Sequence, residues 1–166
     1  MKANQLLALV FPVTALLVIP ALLLFNFQTS SFDLQISATL FFPGLVLFLA
    51  GLYLLVETTL AIHKIGQGTI MPFYPAQNLV ISGSYAYARN PMIGGALLVL
   101  AGEALIFYSG AIMVYLFVFF FANDIYFNAV EEPNLEKKFA ARYRDYKKNV
   151  PRWLPRRKPW RPQNGQ

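Results

Sequence analysis

The sequence predicts an all-helical integral membrane protein with about four transmembrane helices, a cytoplasmic loop cap and a C-terminal amphipathic helix. The chain has 166 residues, of which 57% are hydrophobic and only 13% are charged. This composition is too apolar for an ordinary soluble domain. Apolar runs long enough to cross a bilayer of about 30 Å recur as far as Val130. Eleven of the fourteen Lys and Arg residues lie from Lys137 onward, so the charge follows the apolar region.

Each span is predicted from an apolar run and the polar residues that end it. Pro12 and Pro20 are expected to bend the first span, which a membrane helix tolerates. A polar loop, 28–35, follows it. The tight turn Tyr108-Ser109-Gly110 makes the last two spans an antiparallel hairpin. The predicted spans are 6–27, 36–62, 91–108 and 111–130.

The region after the fourth span is charged and periodic. Leu135, Phe139, Tyr143 and Tyr146 recur at helical spacing, which predicts an amphipathic helix over 131–150. We expect residues 1–155 to form one membrane domain. The remaining residues, 156–166, form a basic and loosely ordered tail.

The loop 66–87 is rich in glycine, proline and aromatic residues, and it is too polar to span a membrane. Its aromatic side chains suit the headgroup layer or a lid over a site. Gly66-Gln67-Gly68-Thr69 does not follow a strand, so it does not indicate a dinucleotide-binding loop.

The distribution of Lys and Arg predicts the orientation. With four spans, Lys2, Lys64, Arg89 and the C-terminal segment fall on one side, and the loops on the other side contain no Lys or Arg. The positive-inside rule therefore places both termini in the cytoplasm.

Several classes of site are excluded by composition. The chain has no cysteine, so it has no disulfide, no zinc–thiolate site and no cysteine nucleophile. The single histidine, His63, rules out a multi-histidine metal site within one chain, and no metal is predicted. The basic tail is better explained by anionic headgroups than by nucleic acid.

The stretch from Gly83 to Gly95 is the polar segment most suggestive of a site. Asn90-Pro91 indicates a helix start, with Arg89 just outside it and Gly94-Gly95 bare in its first turns. Exposed N–H groups beside a guanidinium suit a carboxylate or phosphate. An alternative interpretation is equally open. In it, Arg89 anchors the chain at the membrane edge and the glycines allow a helix–helix contact.

Acidic residues at membrane depth indicate a second candidate region. Asp124, Asn128 and Glu131 are spaced four and three residues apart, so a regular helix places them on one face. Glu132 lies about a quarter-turn away. That face would point at the glycines that begin the third span. A functional site and a structural lock remain equally open for Asp124 with Asn128.

Two further acidic residues, Glu103 and Glu57, are better explained by structural roles than by a functional site. Glu103 lies mid-span, where a hydrogen bond to Tyr115 or a backbone carbonyl would satisfy it. Glu57 lies near the end of the second span, where His63 or Lys64 would pair with it.

An ordered set of motifs resembles the isoprenylcysteine carboxyl methyltransferase family, which is related to the membrane phospholipid N-methyltransferases. The resemblance covers about 66–155, and the two N-terminal spans match only in hydrophobicity. The motifs are Gly83-Ser-Tyr-Ala-Tyr-Ala-Arg-Asn-Pro-Met, the apolar hairpin, Glu131-Glu132-x-x-Leu135, Phe139-x-x-x-Tyr143-x-x-Tyr146, and Val150-Pro-Arg-Trp-Leu-Pro155.

This resemblance implies a membrane methyltransferase that uses S-adenosyl-L-methionine, held between the Arg-Asn-Pro motif, the last two spans and the Glu-Glu pair. Glu131 or Glu132 would hold the cofactor's ammonium or ribose hydroxyls. Asn90 departs from the histidine of well-studied members, so the position cannot act as an acid or base near neutral pH. The implied cofactor residues are Tyr85, Tyr87, Arg89, Asn90, Pro91, Met92, Gly95, Asn128, Glu131 and Glu132.

The acceptor is expected to be a membrane lipid or a prenylated small molecule that is methylated on a carboxylate. Such an acceptor needs alignment and water exclusion but no general base. An amine or phenol acceptor would need one, and Asp124 or Glu132 are the candidates. Arg89 or Arg152 would meet the acceptor's polar head. Phospholipid N-methylation, a sterol-type reductase and a non-catalytic lipid-binding protein are the alternatives.

Overall fold

A computed structural model describes residues 10–27, 34–67 and 77–162 of the protein. The described residues form helices, turns and extended segments with no β-strand, which confirms the predicted all-helical fold class. Four parts of the predictions lie outside them. These are the start of the first span (6–9), the polar loop 28–33, the aromatic part of the loop cap (68–76) and the end of the tail (163–166).

The first helical run extends over Val10–Phe27. It widens into a π-helical turn at Thr14–Val18 and continues as helix α1, Ile19–Phe27. Proline in a helix removes one N–H and crowds the preceding turn. The π-turn lies between Pro12 and Pro20, where this disturbance is expected.

Helix α2 runs from Leu34 to Ala61 and ends in a π-helical turn, Ile62–Gly66. It begins two residues before the predicted span, so the assignment of Gln35 to a loop was wrong. Neither Leu34 nor Gln35 breaks a helix, and a polar residue is tolerated in a first turn. Gln67 then stops the run with a left-handed conformation, φ 52°.

Helices α3, Pro91–Ile106, and α4, Gly110–Tyr126, form the hairpin that the sequence predicts. Helix α3 starts at the expected proline but ends two residues early. The chain turns there because Tyr108 takes a left-handed conformation, φ 48°. Ser109 Oγ then accepts a hydrogen bond from the Ile112 N–H at 3.3 Å, which caps the start of α4.

The last helix, α5, covers Glu132–Asn149 and confirms the predicted amphipathic segment. It is joined to α4 without a break, through a π-helical turn at Phe127–Glu131. Glu131-Glu132 therefore does not begin a separate helix. The helix is kinked at Ala140, which leaves the helical conformation (φ 44°, ψ −119°).

Three helical runs in the described part are long and apolar enough to cross a membrane: Val10–Phe27, Thr39–Gly66 and Gly110–Asn149. The apolar part of the third run ends at Val130. Helix α3 is apolar but has only 16 residues. The protein is thus a membrane protein, while the number of four spans stays a prediction.

The chain divides into two compact units. The first comprises Met1–Tyr53 and Gly95–Phe121. Within it, α2 and α3 pack closely through glycines. A β-carbon at Gly51 would lie 2.6 Å from the Gly95 carbonyl oxygen, and one at Gly102 would lie 2.7 Å from the Gly44 oxygen. Gly95 therefore makes the helix contact that was one of its two sequence interpretations.

The second unit comprises Leu54–Gly94 and Ala122–Gln166. Its core contains Leu79, Tyr143, Tyr146 and Val150, with Trp160 packed against them. This unit contains most of the candidate site residues.

The tail was wrongly expected to be loose from Arg156 onward. The Arg156 N–H donates to the Tyr87 carbonyl at 3.0 Å, and the Trp160 N–H donates to the Ala86 carbonyl at 2.9 Å. Because Trp160 also packs on Tyr146, this basic segment holds the loop before α3 in place.

Candidate cofactor and acceptor site

Glu132 is the centre of the site's charge network. Its side chain is only 6% exposed, and it contacts three cations. Arg89 Nη1 lies 2.6 Å from Oε1, Arg152 Nε lies 2.8 Å from the same oxygen, and Lys147 Nζ lies 3.0 Å from Oε2. Burial disfavours the charged carboxylate, but Lys147, Arg89 and Arg152 outweigh it and lower the pKa of Glu132.

Arg152 connects this carboxylate to α4. Its Nη1 donates to Asp124 Oδ1 at 3.0 Å and its Nη2 donates to Asn128 Oδ1 at 2.7 Å. Trp153 Nε1 donates to the same oxygen of Asp124 at 3.0 Å. Desolvation opposes the charge on Arg152, yet the bonds to Asp124 and Glu132 raise its pKa. Asp124 and Asn128 are therefore held by the C-terminal segment.

The acid that shares a face with Asp124 and Asn128 is Glu132, and the assignment of Glu131 to that face was wrong. The π-helical turn Phe127–Glu131 explains the difference, because its i→i+5 bonds put more residues into one turn than an α-helix does. A β-carbon at Gly94 would have no neighbour within 4 Å, so the face does not pack directly against that glycine. The direction of this face toward the glycines that begin α3 stays a prediction.

Arg89 is positioned by several parts of the unit at once. Besides Glu132, its Nε donates to the Val150 carbonyl at 2.9 Å, and its Nη1 lies 3.4 Å from the Tyr143 hydroxyl. Its backbone N–H donates to the Pro151 carbonyl at 2.9 Å. The guanidinium is a buried link between the loop before α3, α5 and the segment after it.

Asn90 follows Arg89 and begins α3. Its N–H donates to the Arg152 carbonyl at 3.2 Å, and its carbonyl accepts from the Gly94 N–H at 3.1 Å. Its side-chain Nδ2 is buried and has no hydrogen-bond partner within the described part of the chain. The backbone N–H and C=O of Asn90 are therefore hydrogen-bonded, whereas its buried side-chain Nδ2 is not in the described structure.

Tyr85 lies in the short 3₁₀ turn Gly83–Ala86. The Tyr146 hydroxyl donates to the Tyr85 carbonyl at 2.7 Å, which fixes the loop to α5. Burial first, and then Tyr146, Glu131 and Glu57, raise the pKa of the Tyr85 phenol above its ordinary value. The phenol is therefore neutral near physiological pH.

Two acids near Tyr85 lack ion pairs among the described residues: Glu57 and Glu131. Glu57 Oε1 accepts from the Ser84 N–H at 3.2 Å, so the expected pairing with His63 or Lys64 was wrong. Burial, and next the Glu132 carboxylate, raise the pKa of Glu131 to about 7.

The expected pairing of Glu103 with Tyr115 was also wrong. The Tyr115 hydroxyl donates to the Ala15 carbonyl at 3.1 Å. Glu103 is buried, and its Oε2 has no partner within the described part of the chain.

An open cavity of about 680 Å³ lies beside the network. Asn128, Glu132 and Arg152 contribute to its wall, together with basic side chains from α5. It is lined by Asn128, Glu132, Pro133, Glu136, Lys137, Arg144, Lys147 and Arg152. It is large enough for part of an amphiphilic ligand.

The remaining predicted residues lie on the same unit. Tyr87 follows the 3₁₀ turn, Pro91 is buried at the start of α3, and Met92 is half-buried beside it. Their contact with a cofactor stays a prediction.

The sequence did not place Lys147 or Trp153 in the site, and it indicated for Arg152 only a contact with the acceptor's polar head. Lys147 is separated from Glu132 by fifteen positions in α5. The Pro-Arg-Trp-Leu-Pro segment was the available signal, since an arginine and a tryptophan between prolines beside a helix end suggest a specific contact.

A family model described as phospholipid methyltransferase matches residues 39–142, which is more than half of the chain. No curated protein and no solved structure shows a significant match. The match confirms the broader membrane methyltransferase family, and the carboxyl methyltransferase subfamily stays a prediction. The protein therefore belongs to the phospholipid methyltransferase family of membrane enzymes, which normally use S-adenosylmethionine.

Proposed function

We propose that the protein binds S-adenosylmethionine through its second unit and methylates a lipid-like acceptor on a carboxylate. The observation that carries this proposal is the buried Asn90 Nδ2, which has no acceptor within the described residues although the neighbouring Arg89 is hydrogen-bonded through Nε and Nη1. A buried donor without a partner costs about 1–3 kcal/mol. A ligand oxygen or ring nitrogen would recover that cost.

The residues present fit the cofactor. Asn90 offers a donor, Glu131 a carboxylate without an ion pair in the described part, and Tyr85 a neutral phenol. When bound, S-adenosylmethionine would supply an electrophilic methyl group on a positively charged sulfur. Pro91 and Met92 would supply apolar surface, and Tyr87 and Asn128 are further candidates. Gly95 lies in the first unit, where it packs against α2.

Glu132 and Arg89 would act by positioning. Glu132 has both oxygens on cations, so its proposed role is to fix Arg89, Arg152 and Lys147 rather than to contact the cofactor's ammonium. With these groups fixed, Asn90 and Glu131 are presented on a rigid frame. Rigid presentation favours alignment of the reacting atoms.

A specific observation favours a carboxylate acceptor. Asp124 and Glu132, the two candidate bases, are both engaged with Arg152, and such pairing stabilises the charged form of a carboxylate and weakens it as a base. A carboxylate acceptor is already ionised and needs no base. Arg89 or Arg152 would have to meet its polar head without breaking the network.

N-methylation of a lipid amine is the second candidate. It is favoured by Glu131, whose raised pKa of about 7 suits acceptance of a proton near neutral pH. The chemistry of the product separates the two candidates, because methyl esters are cleaved by mild base and N-methyl groups are not.

The first test is calorimetric titration of the purified protein with S-adenosylmethionine and S-adenosylhomocysteine. Saturable binding is expected, with a loss of about tenfold or more in Asn90→Ala. The Tm of that variant should not fall, since the lost group has no partner in the described structure. Arg89→Ala should lose both binding and stability.

The second test is transfer of a radiolabelled methyl group to lipids in membrane extracts. Release of the label by mild base as volatile methanol would support O-methylation, and label that stays non-volatile after the same treatment would support N-methylation. No cofactor binding to folded protein, in lipid as well as in detergent, would overturn the proposal and favour a non-catalytic lipid-binding protein.

A further inference from the structure

Only one oxygen of the Glu57 carboxylate, Oε1, has a hydrogen-bond partner among the described residues. Oε1 accepts the Ser84 N–H at 3.2 Å. Gly83 makes this approach possible because it has φ +61° and because a β-carbon at that position would overlap Oε1. An acid near the end of α2 thus lies against the 3₁₀ turn that leads to Arg89 and Asn90.

The second oxygen, Oε2, is buried and has no hydrogen-bond partner within the described residues. An unpaired buried carboxylate is much more costly than an unpaired amide, because its charge has lost hydration. The same unit satisfies another carboxylate, that of the buried Glu132, with three cations. The unit therefore has the means to neutralise a buried acid, and in the described structure it leaves Glu57 without a cation.

Two described groups near Glu57, the Tyr85 phenol and the Glu131 carboxylate, carry no positive charge. Tyr85 is adjacent, and burial together with Tyr146, Glu131 and Glu57 raises the pKa of its phenol, which keeps it uncharged. Glu131 acts on the same phenol and has no ion pair in the described part. A positively charged ligand would therefore be attracted to this position.

We propose that Glu57 is a ligand-binding residue whose Oε2 accepts a cationic group, the cofactor's sulfonium or the protonated amine of an acceptor lipid. This inference rests on the proposed function, and it adds a residue from the second span to the site. Oε1 orients the carboxylate through Ser84, and Oε2 provides the charge. Substitution by glutamine keeps the shape and the Ser84 bond but removes the charge.

The experiment compares wild type, Glu57→Gln and the control Asp145→Asn, which changes an exposed acid on α5. Each is titrated with S-adenosylmethionine, with S-adenosylhomocysteine, whose sulfur is uncharged, and with two soluble lipids, lysophosphatidylethanolamine and lysophosphatidylglycerol. Loss of a charge-assisted contact is expected to weaken binding by about ten- to hundredfold. Asp145→Asn should match wild type in every titration.

The pattern of losses identifies the source of the cation. Weaker binding of S-adenosylmethionine with unchanged S-adenosylhomocysteine supports the sulfonium. Weaker binding of the amine lipid alone supports an acceptor amine. If Glu57→Gln is folded, as judged by its Tm, and all four affinities stay within about twofold of wild type, the inference is overturned.

The two proposals can fail separately. Wild type that binds neither cofactor form but binds the amine lipid through Glu57 would contradict the proposed function and support this inference. Wild type that binds both cofactor forms with no effect of Glu57→Gln would do the reverse. Wild type that binds none of the four probes would overturn both.

Discussion

The electrostatic environment of Glu132 is determined by the residues that contact it. Three cations surround a carboxylate that is 6% exposed, so its charge is stabilised by direct contacts. The neighbouring Glu131 has no such partner among the described residues. Two identical side chains, adjacent in sequence, thus have opposite electrostatic environments.

Glu132→Gln should destabilise the protein by about 3–5 kcal/mol, because it leaves buried Arg89 without its counter-charge. Glu136→Gln is the matched control. Glu136 is 38% exposed and lies 3.9 Å from Lys147, so its loss should cost about 0–1 kcal/mol. Chemical unfolding of both variants checks this, and equal losses would contradict the assigned importance of the Glu132 network.

Glu131 should make stability depend on pH. Its folded pKa is about 7 against an ordinary 4.5, so the native state binds the proton more tightly than the unfolded state. The free energy of unfolding should therefore fall as pH rises from about 4.5 to about 7, by on the order of 3 kcal/mol or less.

Glu131→Gln should remove that dependence. The variant should match wild type near pH 4.5 and have the higher Tm near pH 8. A wild-type Tm that rises over the same range, with no change on substitution, would show that burial does not disfavour the charged carboxylate.

At the scale of elements, the π-helical turn between α4 and α5 determines which acid joins the network. A regular helix through Phe127–Glu131 would have aligned Glu131 with Asp124. The wider turn aligns Glu132 instead and leaves Glu131 near Tyr85. One irregular turn therefore distributes the two acids between a charge network and a candidate ligand site.

Helices α2 and α3 pack closely together because glycines lie at their contact. Gly51→Ala would place a β-carbon 2.6 Å from the Gly95 carbonyl oxygen. The helices would have to separate, and overpacking of this kind costs about 1–3 kcal/mol.

Gly110→Ala is the control for that prediction, since a β-carbon there has no neighbour within 4 Å. Thermal unfolding in detergent should show a lower Tm for Gly51→Ala and little change for Gly110→Ala. Equal Tm values would argue against the close packing of α2 on α3.

At the scale of the whole molecule, the arrangement across the membrane remains a prediction from the positive charges. The chain has no cysteine, so single cysteines introduced by substitution report their own accessibility. Lys64→Cys and Arg161→Cys should be labelled from the cytoplasmic side by an impermeant reagent, and Ser109→Cys from the opposite side.

This labelling pattern tests the number of spans directly. Position 64 precedes α3 and position 109 follows it, so opposite labelling requires that the chain cross the membrane between them. If both positions are labelled from the same side, α3 does not span and the four-span prediction is wrong.

The amino-acid sequence by itself determined the helical membrane fold, the start of α3 at Pro91 and the amphipathic character of α5. These features depend on local composition, on proline chemistry and on periodicity, all of which act within a few turns of the chain. The ordered motifs from Gly83 to Pro155 also indicated the broader membrane methyltransferase family.

Only the tertiary structure decided which of these residues meet. Arg152 joins Glu132, Asp124 and Asn128 from a distant segment, and Trp160 anchors a tail that composition alone marks as loose. Such contacts depend on the π-helical turn and on the path of the chain after Asn149. The physical reason is that a buried charge pairs with whichever opposite charge lies close to it in space. Spacing along the sequence predicts that position only where the helix is regular.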